Sequence, residues 1–185
     1  MKHILVAGLT MIAMGSASAQ AYVGGSLGMA KVNLDCAGTL SCDTTDTSWK
    51  LYAGYKLDDT WAVEGGYIDF GRAKYSYDFD GDTINGKLSA TGFTVAVAAH
   101  GQFTPAVSGV ARFGLAMLKA KISESLGSAS VSESESNTRA YLGLGLGYAV
   151  TPNLTATVDA DFSTAKLGGE SGSVRAIGLG LAYKF

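Results

Sequence analysis

Beyond its first 19 residues the chain offers acid–base chemistry a single imidazole, His100. Acyl or ester transfer needs a nucleophile activated by a base that a third group orients. His100 is followed by Gly101 and Gln102, with no serine two residues away and no carboxylate close in sequence. A catalytic role is therefore not expected, and a place beside a turn is. Cys36 and Cys42, the only cysteines, have five residues between them within the polar stretch Asn33–Thr47. In an exported protein a disulfide is the default for such a pair, and Ala37-Gly38-Thr39-Leu40-Ser41 can turn the chain back to bridging distance. Two thiols supply half of a structural zinc shell, and neither a histidine nor a second cysteine pair lies nearby. Asp78, Asp80 and Asp82 repeat at the spacing of a calcium loop. Counted from Asp78, however, position six is Thr83 where glycine is needed, and position twelve is Ser89 where glutamate is. With Tyr75, Tyr77 and Phe79 the segment reads as a hairpin extension. No metal and no cofactor are expected.

The elements that must position these residues begin after a leader. Lys2, the apolar run Ile4–Met14 and the small residues Ala17-Ser18-Ala19 have the form of a cleaved secretory signal. The expected division is a signal peptide over 1–19 and one barrel domain over 20–185, with the mature chain starting at Gln20. Of 185 residues 16% are charged and 25 are glycine, and the net charge is −2. Such a balance argues against disorder and gives no basic field, so nucleic acid is not an expected partner. No run of about 18 apolar residues follows the leader, which argues against a helical membrane span.

Apolar residues then recur at every second position. Trp49, Leu51, Ala53, Tyr55 and Leu57 share one face and Lys50, Tyr52, Gly54 and Lys56 the other. The alternation returns in Leu142, Leu144, Leu146 and Tyr148 against Gly143, Gly145 and Gly147, and in Ile177, Leu179, Leu181, Tyr183 and Phe185. Period two with this much glycine means strands, and it also rules out a nucleotide-binding glycine loop, which needs a following helix. Asp58-Asp59-Thr60, Thr104-Pro105-Ala106 and Thr151-Pro152-Asn153 each sit between apolar residues as short turns, 46 and 47 residues apart. Each repeat holds only two strands, too few for a propeller blade. The expected strands are 21–32, 48–57, 61–71, 87–102, 107–119, 138–150, 154–163 and 173–185. The longer polar connections are Asn33–Thr47, Arg72–Gly86, Ala120–Ser136 and Thr164–Gly172, with Ser123–Ser136 reading as a mobile acidic loop that carries Glu124, Glu133 and Glu135.

The fold class is all-β: an eight-stranded antiparallel up-and-down transmembrane β-barrel with three short periplasmic turns and four longer extracellular loops. A lipocalin-like soluble barrel would put its apolar residues inside. Here the more polar face holds Gly, Thr, Lys, Glu, Arg and Asp, too small and too charged for a dry core, so the apolar face should meet lipid. Tyr55, Trp61, Phe103, Tyr148, Tyr183 and Phe185 fall near the short turns or the C-terminus, as an interfacial aromatic girdle would. Trp49, Tyr67 and Phe162 fall near the other end. Counting by two sends Lys50, Glu64, Arg112 and Asp159 inward at overlapping heights. In a narrow lumen two bases and two acids should pair and block a continuous channel, because an unpaired charge is expensive to desolvate. Four separately hydrated charges are the alternative.

Taken with Ala21-Tyr22-Val23-Gly24-Gly25-Ser26-Leu27-Gly28, Val63–Gly71 and the terminal Leu181-Ala182-Tyr183-Lys184-Phe185, the chain resembles the small OmpA-type outer-membrane β-barrels of Gram-negative bacteria, the OmpA/OmpX-like superfamily. The resemblance covers the whole mature chain. It implies integral residence in the outer membrane, contact with outer-membrane lipids and a C-terminal strand read by the outer-membrane assembly machinery. It also implies an inward acid at Glu64; with Phe185 as the last residue, the periplasmic peptidoglycan-binding domain of full-length OmpA is not expected. The superfamily includes structural barrels, adhesins, small pores and a few lipid-modifying enzymes. The expected role is non-enzymatic, an envelope-structural or adhesin-like barrel whose loops meet host or cell-surface ligands. A small-solute pore is the alternative. A lipid A-modifying enzyme would need a serine and an acid beside His100.

Overall fold

The computed structural model describes residues 20–33, 36, 39–79, 82–126, 129–167 and 170–185. The leader Met1–Ala19, the pair Ala37-Gly38 of the cysteine loop and Asp80-Gly81 of the acidic triplet lie outside these residues. The strands are β1 (Ala21–Val32), β2 (Ser41–Asp43), β3 (Thr45–Lys56), β4 (Trp61–Phe79), β5 (Asp82–Gln102), β6 (Val107–Leu126), β7 (Ala129–Ala149), β8 (Leu154–Leu167) and β9 (Glu170–Lys184). Every pairing is antiparallel, and β1 closes the ring against β9 from Tyr22↔Lys184 to Val32↔Val174. The result is an eight-stranded up-and-down barrel with one extra short strand, β2, laid against β4.

Leu27, Leu51, Val95, Phe113, Leu144, Leu179 and their period-two neighbours are exposed on the outer wall. Such a wall is stable facing hydrocarbon, where backbone polar groups must be satisfied within the closed ladder. The three short turns share one end. In the first, Asp58 accepts the amides of Thr60 and Trp61 at 2.7 Å each. These amides, Trp61 foremost, hold its carboxyl below the usual carboxylate range.

At the other end the structure corrects the reading of the polar connections. Arg72–Gly86 continues its hairpin, as expected from Tyr75, Tyr77 and Phe79, and Ala120–Ser136 and Thr164–Gly172 are likewise continuations of the hairpins and not irregular loops. Phe79 pairs with Asp82, Leu126 with Ala129 and Leu167 with Glu170, so β4 to β7 run to 19, 21, 20 and 21 residues. Hydrophobic alternation stops where lipid stops, but ladder hydrogen bonds do not depend on it. A strand with two polar faces, such as Ser132-Glu133-Ser134-Glu135-Ser136, leaves no period-two apolar signal. Within Asn33–Thr47 the chain forms β2 and the start of β3.

One irregularity resets the inside–outside count. The β4–β5 register slips between Asp69 and Arg72, and Gly71 sits there at φ +71°, a left-handed conformation that favours glycine. A Cβ at this position would also meet the Thr47 carbonyl at 2.6 Å. Asp69 accepts the Gly71 amide at 2.7 Å and Asp46 the Arg72 amide at 2.9 Å, replacing ladder bonds lost at the bulge. Glu64, Ile68 and Phe70 point inward below the bulge, and Ala73 points inward above it, so even-numbered residues hand the lumen to odd-numbered ones.

Candidate functional site

Among the described residues, buried charged side chains converge in the lumen, which is layered. In the middle, Arg112 of β6 donates from Nε to Glu64 of β4 at 2.6 Å and from Nη1 to Asp159 of β8 at 2.9 Å. Lys50 of β3 reaches both oxygens of Asp161 at 2.9 Å and Asp159 at 3.5 Å. None of these five side chains is more than 5% exposed. Thus the structure brings Lys50, Glu64, Arg112 and Asp159 together, and adds Asp161.

Three carboxylates against two cations would leave one acid short of a partner, but hydroxyls make up the donors. Tyr22 donates to Glu64 at 2.6 Å, Thr157 to Asp159 at 2.8 Å, and Tyr141 to Asp161. The Arg112 guanidinium also lies 4.9 Å from the centre of the Tyr52 ring, and Lys50 Nζ lies 5.3 Å from it. Asp161 and Tyr141 were legible: each sits two residues from an inward position, Asp159 and Gly143. Tyr52 was legible too, since it shares the face of Lys50 in the alternation of β3; Tyr22 was not, because aromatics on an alternating strand are ordinarily assigned to lipid.

Toward the long hairpins the interior changes character. Val32, Ile68, Phe70, Leu118 and Val174 are almost fully buried, with Ala30, Ala73, Leu88, Ala90, Ala116 and Ala120 around them. This is a dry apolar core, contrary to the expectation that the inward face is too small and too charged to form one. The signal was masked by the bulge and by alanines, which read as neither face.

Toward the short turns lies a cavity of about 300 Å³, reached past Asp59 and Pro105 and floored by Arg112 and Asp159. Gly145 lines it. A Cβ there would meet Val110 at 2.8 Å and Asp159 Oδ1 at 3.0 Å. His100 also lines it, with Nε2 3.1 Å from the Tyr22 hydroxyl and the two rings edge to face at 5.5 Å. This places the imidazole against a phenol rather than in a serine–histidine–acid array.

Outside the lumen, Tyr55, Trp61, Phe103, Tyr148, Tyr183 and Phe185 are exposed at the short-turn end, where Tyr183 and Phe185 meet edge to face at 5.2 Å. At the other end Trp49, Tyr67 and Phe93 form a row with centroids 5.4 and 5.1 Å apart. Cys36 and Cys42 are disulfide-bonded, with Cα atoms 6.0 Å apart. Asp78 accepts the Thr83 hydroxyl at 3.0 Å across its hairpin. Among the described residues no three His, Cys, Asp or Glu are grouped to hold a metal ion. Tyr75 donates to Glu124 at 2.8 Å, and burial together with that carboxylate pushes its phenol above the ordinary range.

Comparison with known proteins gives the architecture a context. Residues 4–185 match the outer membrane protein β-barrel domain family. No curated protein matches the chain by sequence. Among solved structures, Ail, the attachment invasion locus protein of Yersinia pestis, aligns with TM-score 0.61 at 20% identity, covering 91% of this chain and 99% of that one. Neisserial surface protein A aligns with TM-score 0.62 at 16% identity, covering 89% and 97%. The outer membrane protease OmpT of Escherichia coli aligns with TM-score 0.50 at 10% identity, covering 91% and 97%. At these identities the structures share a fold with this chain, and the fold serves both surface proteins and a protease.

Proposed function

This chain belongs to the outer membrane protein β-barrel domain family, an integral outer-membrane barrel, and from that premise we propose that it is a closed, non-enzymatic barrel that works through the hairpins it raises above the membrane. The observation that carries the proposal is the filling of the lumen. A buried ion cluster and an apolar core stand in series between the short-turn cavity and the long-hairpin mouth. A dry aliphatic layer repels ions even where the charged layer is opened, because moving an ion out of water into an apolar medium is costly. The pore reading therefore requires both layers to yield. The enzyme reading would need a serine hydrogen-bonded to His100, whose Nε2 instead meets the Tyr22 hydroxyl.

The material goes instead into the hairpins, which rise well beyond the lipid-facing residues as a sheet of four long strands. Ail, which shares the fold, has been solved with a heparin analogue, sucrose octasulfate. That precedent supports a surface-contact role here. In the same reading Met1–Ala19 is removed as a signal peptide, the short turns face the periplasm, the two aromatic sets mark the membrane interfaces, and β9 with the Phe185 that follows it is the strand the assembly machinery recognises.

Two measurements test it. In planar bilayers the purified barrel should give small or rare conductance, and Glu64→Ala alone should not raise it. The combination of Glu64→Ala with Phe70→Ala and Leu118→Ala should. Steady nanosiemens openings from the unaltered protein would promote the pore. In cells, replacing Ser123–Ser132 by Asn-Gly shortens the β6–β7 hairpin while keeping its register. Surface adhesion should then fall with the heat-modifiable gel shift and envelope permeability unchanged. Unchanged adhesion would overturn the contact role.

A further inference from the structure

On the short-turn side of the ion cluster lies the cavity of about 300 Å³ floored by Arg112 and Asp159. That is room for about ten waters, or for an organic molecule of a similar number of non-hydrogen atoms. Its charged lining is Lys56, Lys184 and Arg112 against Asp59 and Asp159. Two of these are already spent, because Arg112 donates to Asp159 at 2.9 Å and to Glu64 at 2.6 Å. What remains is a pair of ammonium groups against one carboxylate, in a chain whose net charge is −2. Among the described residues neither Lys56 nor Lys184 has an ion pair.

The fold sets these two ammonium groups apart. Lys56 ends β3 and Lys184 ends β9, and β1 runs between the two strands, its Tyr22 paired with Gly54 on one side and Lys184 on the other. Two strand spacings put the main chains of β3 and β9 about 10 Å apart. Much of the remaining wall is apolar, with the Tyr52 ring, Val110 and Ala182. The hydroxyl residues Ser108 and Thr155 flank Gly147 at the same wall. A Cβ on that glycine would meet Ser108 Oγ and Thr155 Cγ2 at 2.8 Å each, so the absent side chain is what keeps the space between them.

We propose that this cavity is a binding site for a small organic dianion, two carboxylates joined by a short aliphatic chain, that enters from the short-turn side. Ammonium groups on separate strands suit two separated anionic groups better than one compact ion. The apolar wall takes the chain between them, and Ser108 and Thr155 add hydrogen-bond donors that fix its orientation. A neutral solute gains nothing from two unpaired lysines. The site stands at the opposite end of the barrel from the long hairpins. It therefore goes beyond the surface-contact reading, and neither depends on the other.

The test uses the isotope-labelled full chain refolded in an uncharged maltoside detergent, with glutarate as the probe and the amide resonances of Gly145 and Gly147 as the readout. Glutarate should shift both amides saturably, and its uncharged diamide should not. Lys56→Gln and Lys184→Gln should each weaken binding about threefold, the scale of one partly exposed ion pair, and the double variant about tenfold. Asp59→Asn removes the opposing carboxylate and should tighten binding about twofold. Lys87→Gln with Lys121→Gln takes the same charge from the exposed far hairpins. That pair should change nothing at about 0.1 M salt, where charges beyond about 10 Å are screened. Equal binding of the diamide, equal weakening by the hairpin pair, or unchanged binding in the Lys56 and Lys184 double variant overturns the proposal. So does inorganic phosphate binding as tightly as glutarate, or the absence of any shift in the unaltered protein. Shortening the β6–β7 hairpin should leave the glutarate shifts in place, so the adhesion reading and this one fail separately.

Discussion

Inside one barrel two layers, a few residues apart along the same strands, are closed by opposite means. Around Arg112 five charged side chains are packed with hydroxyls from Tyr22, Tyr141 and Thr157, so that each carboxylate has a donor. Around Phe70 and Leu118 the same inward positions of β4 and β6 carry only aliphatic and aromatic groups. The apolar layer is specified by volume, and swaps of similar size are tolerated there. The ionic layer is specified by count, and losing one member strands the rest in a low dielectric.

The sharpest way to break this contrast is to remove the cation that joins two of the acids. Arg112 pairs with Glu64 and Asp159, so Arg112→Ala leaves three carboxylates against Lys50 alone and should cost on the order of 3–5 kcal/mol, the scale for an uncompensated buried charge. The urea midpoint of the detergent-refolded barrel reads it. Leu118→Ala in the apolar layer should cost about 2–5 kcal/mol, depending on how far the cavity collapses, and should leave the ion cluster folded. The ionic variant should therefore be the less stable of the two. The reverse order would mean that water reaches the cluster and that the layer is not dry.

The smallest effect belongs outside the lumen. Replacing Cys36 and Cys42 by serine opens a short loop whose closure stabilises by about 2 kcal/mol at most. The barrel should assemble normally, with the loss confined to faster amide exchange at Ser41–Asp43. A failure to assemble would show that β2 guides the ladder rather than covering its edge. Quantitative thiol labelling of both cysteines in unreduced, denatured protein would refute the bridge itself.

Which side chains share the lumen was partly legible before any geometry. Period-two counting from Leu51, Val63, Phe113 and Val158 sends Lys50, Glu64, Arg112 and Asp159 inward, and the same count would have reached Asp161 and Tyr141. It fails above Gly71, where one extra residue reverses the parity of β4, and nothing in a lone glycine distinguishes a bulge from a flexible link. It fails again in Ser123–Ser136, because a strand whose two faces are both wet has the composition of a loop.

By itself, then, the order of residues determined the strands that touch lipid, the short turns between them and the closure of the ring, since each follows from a local alternation that hydrocarbon enforces on every strand independently. Only the tertiary structure decided what the barrel does with its interior and its rim. The stacking of an ionic layer beneath a dry one depends on heights set by register between strands far apart in sequence. The covered edge at β4 and the end of the β7–β8 ladder at Leu142↔Phe162 depend on which neighbour ends first. Register and relative strand length belong to pairs of strands, and a single strand's sequence holds only its own half of that information.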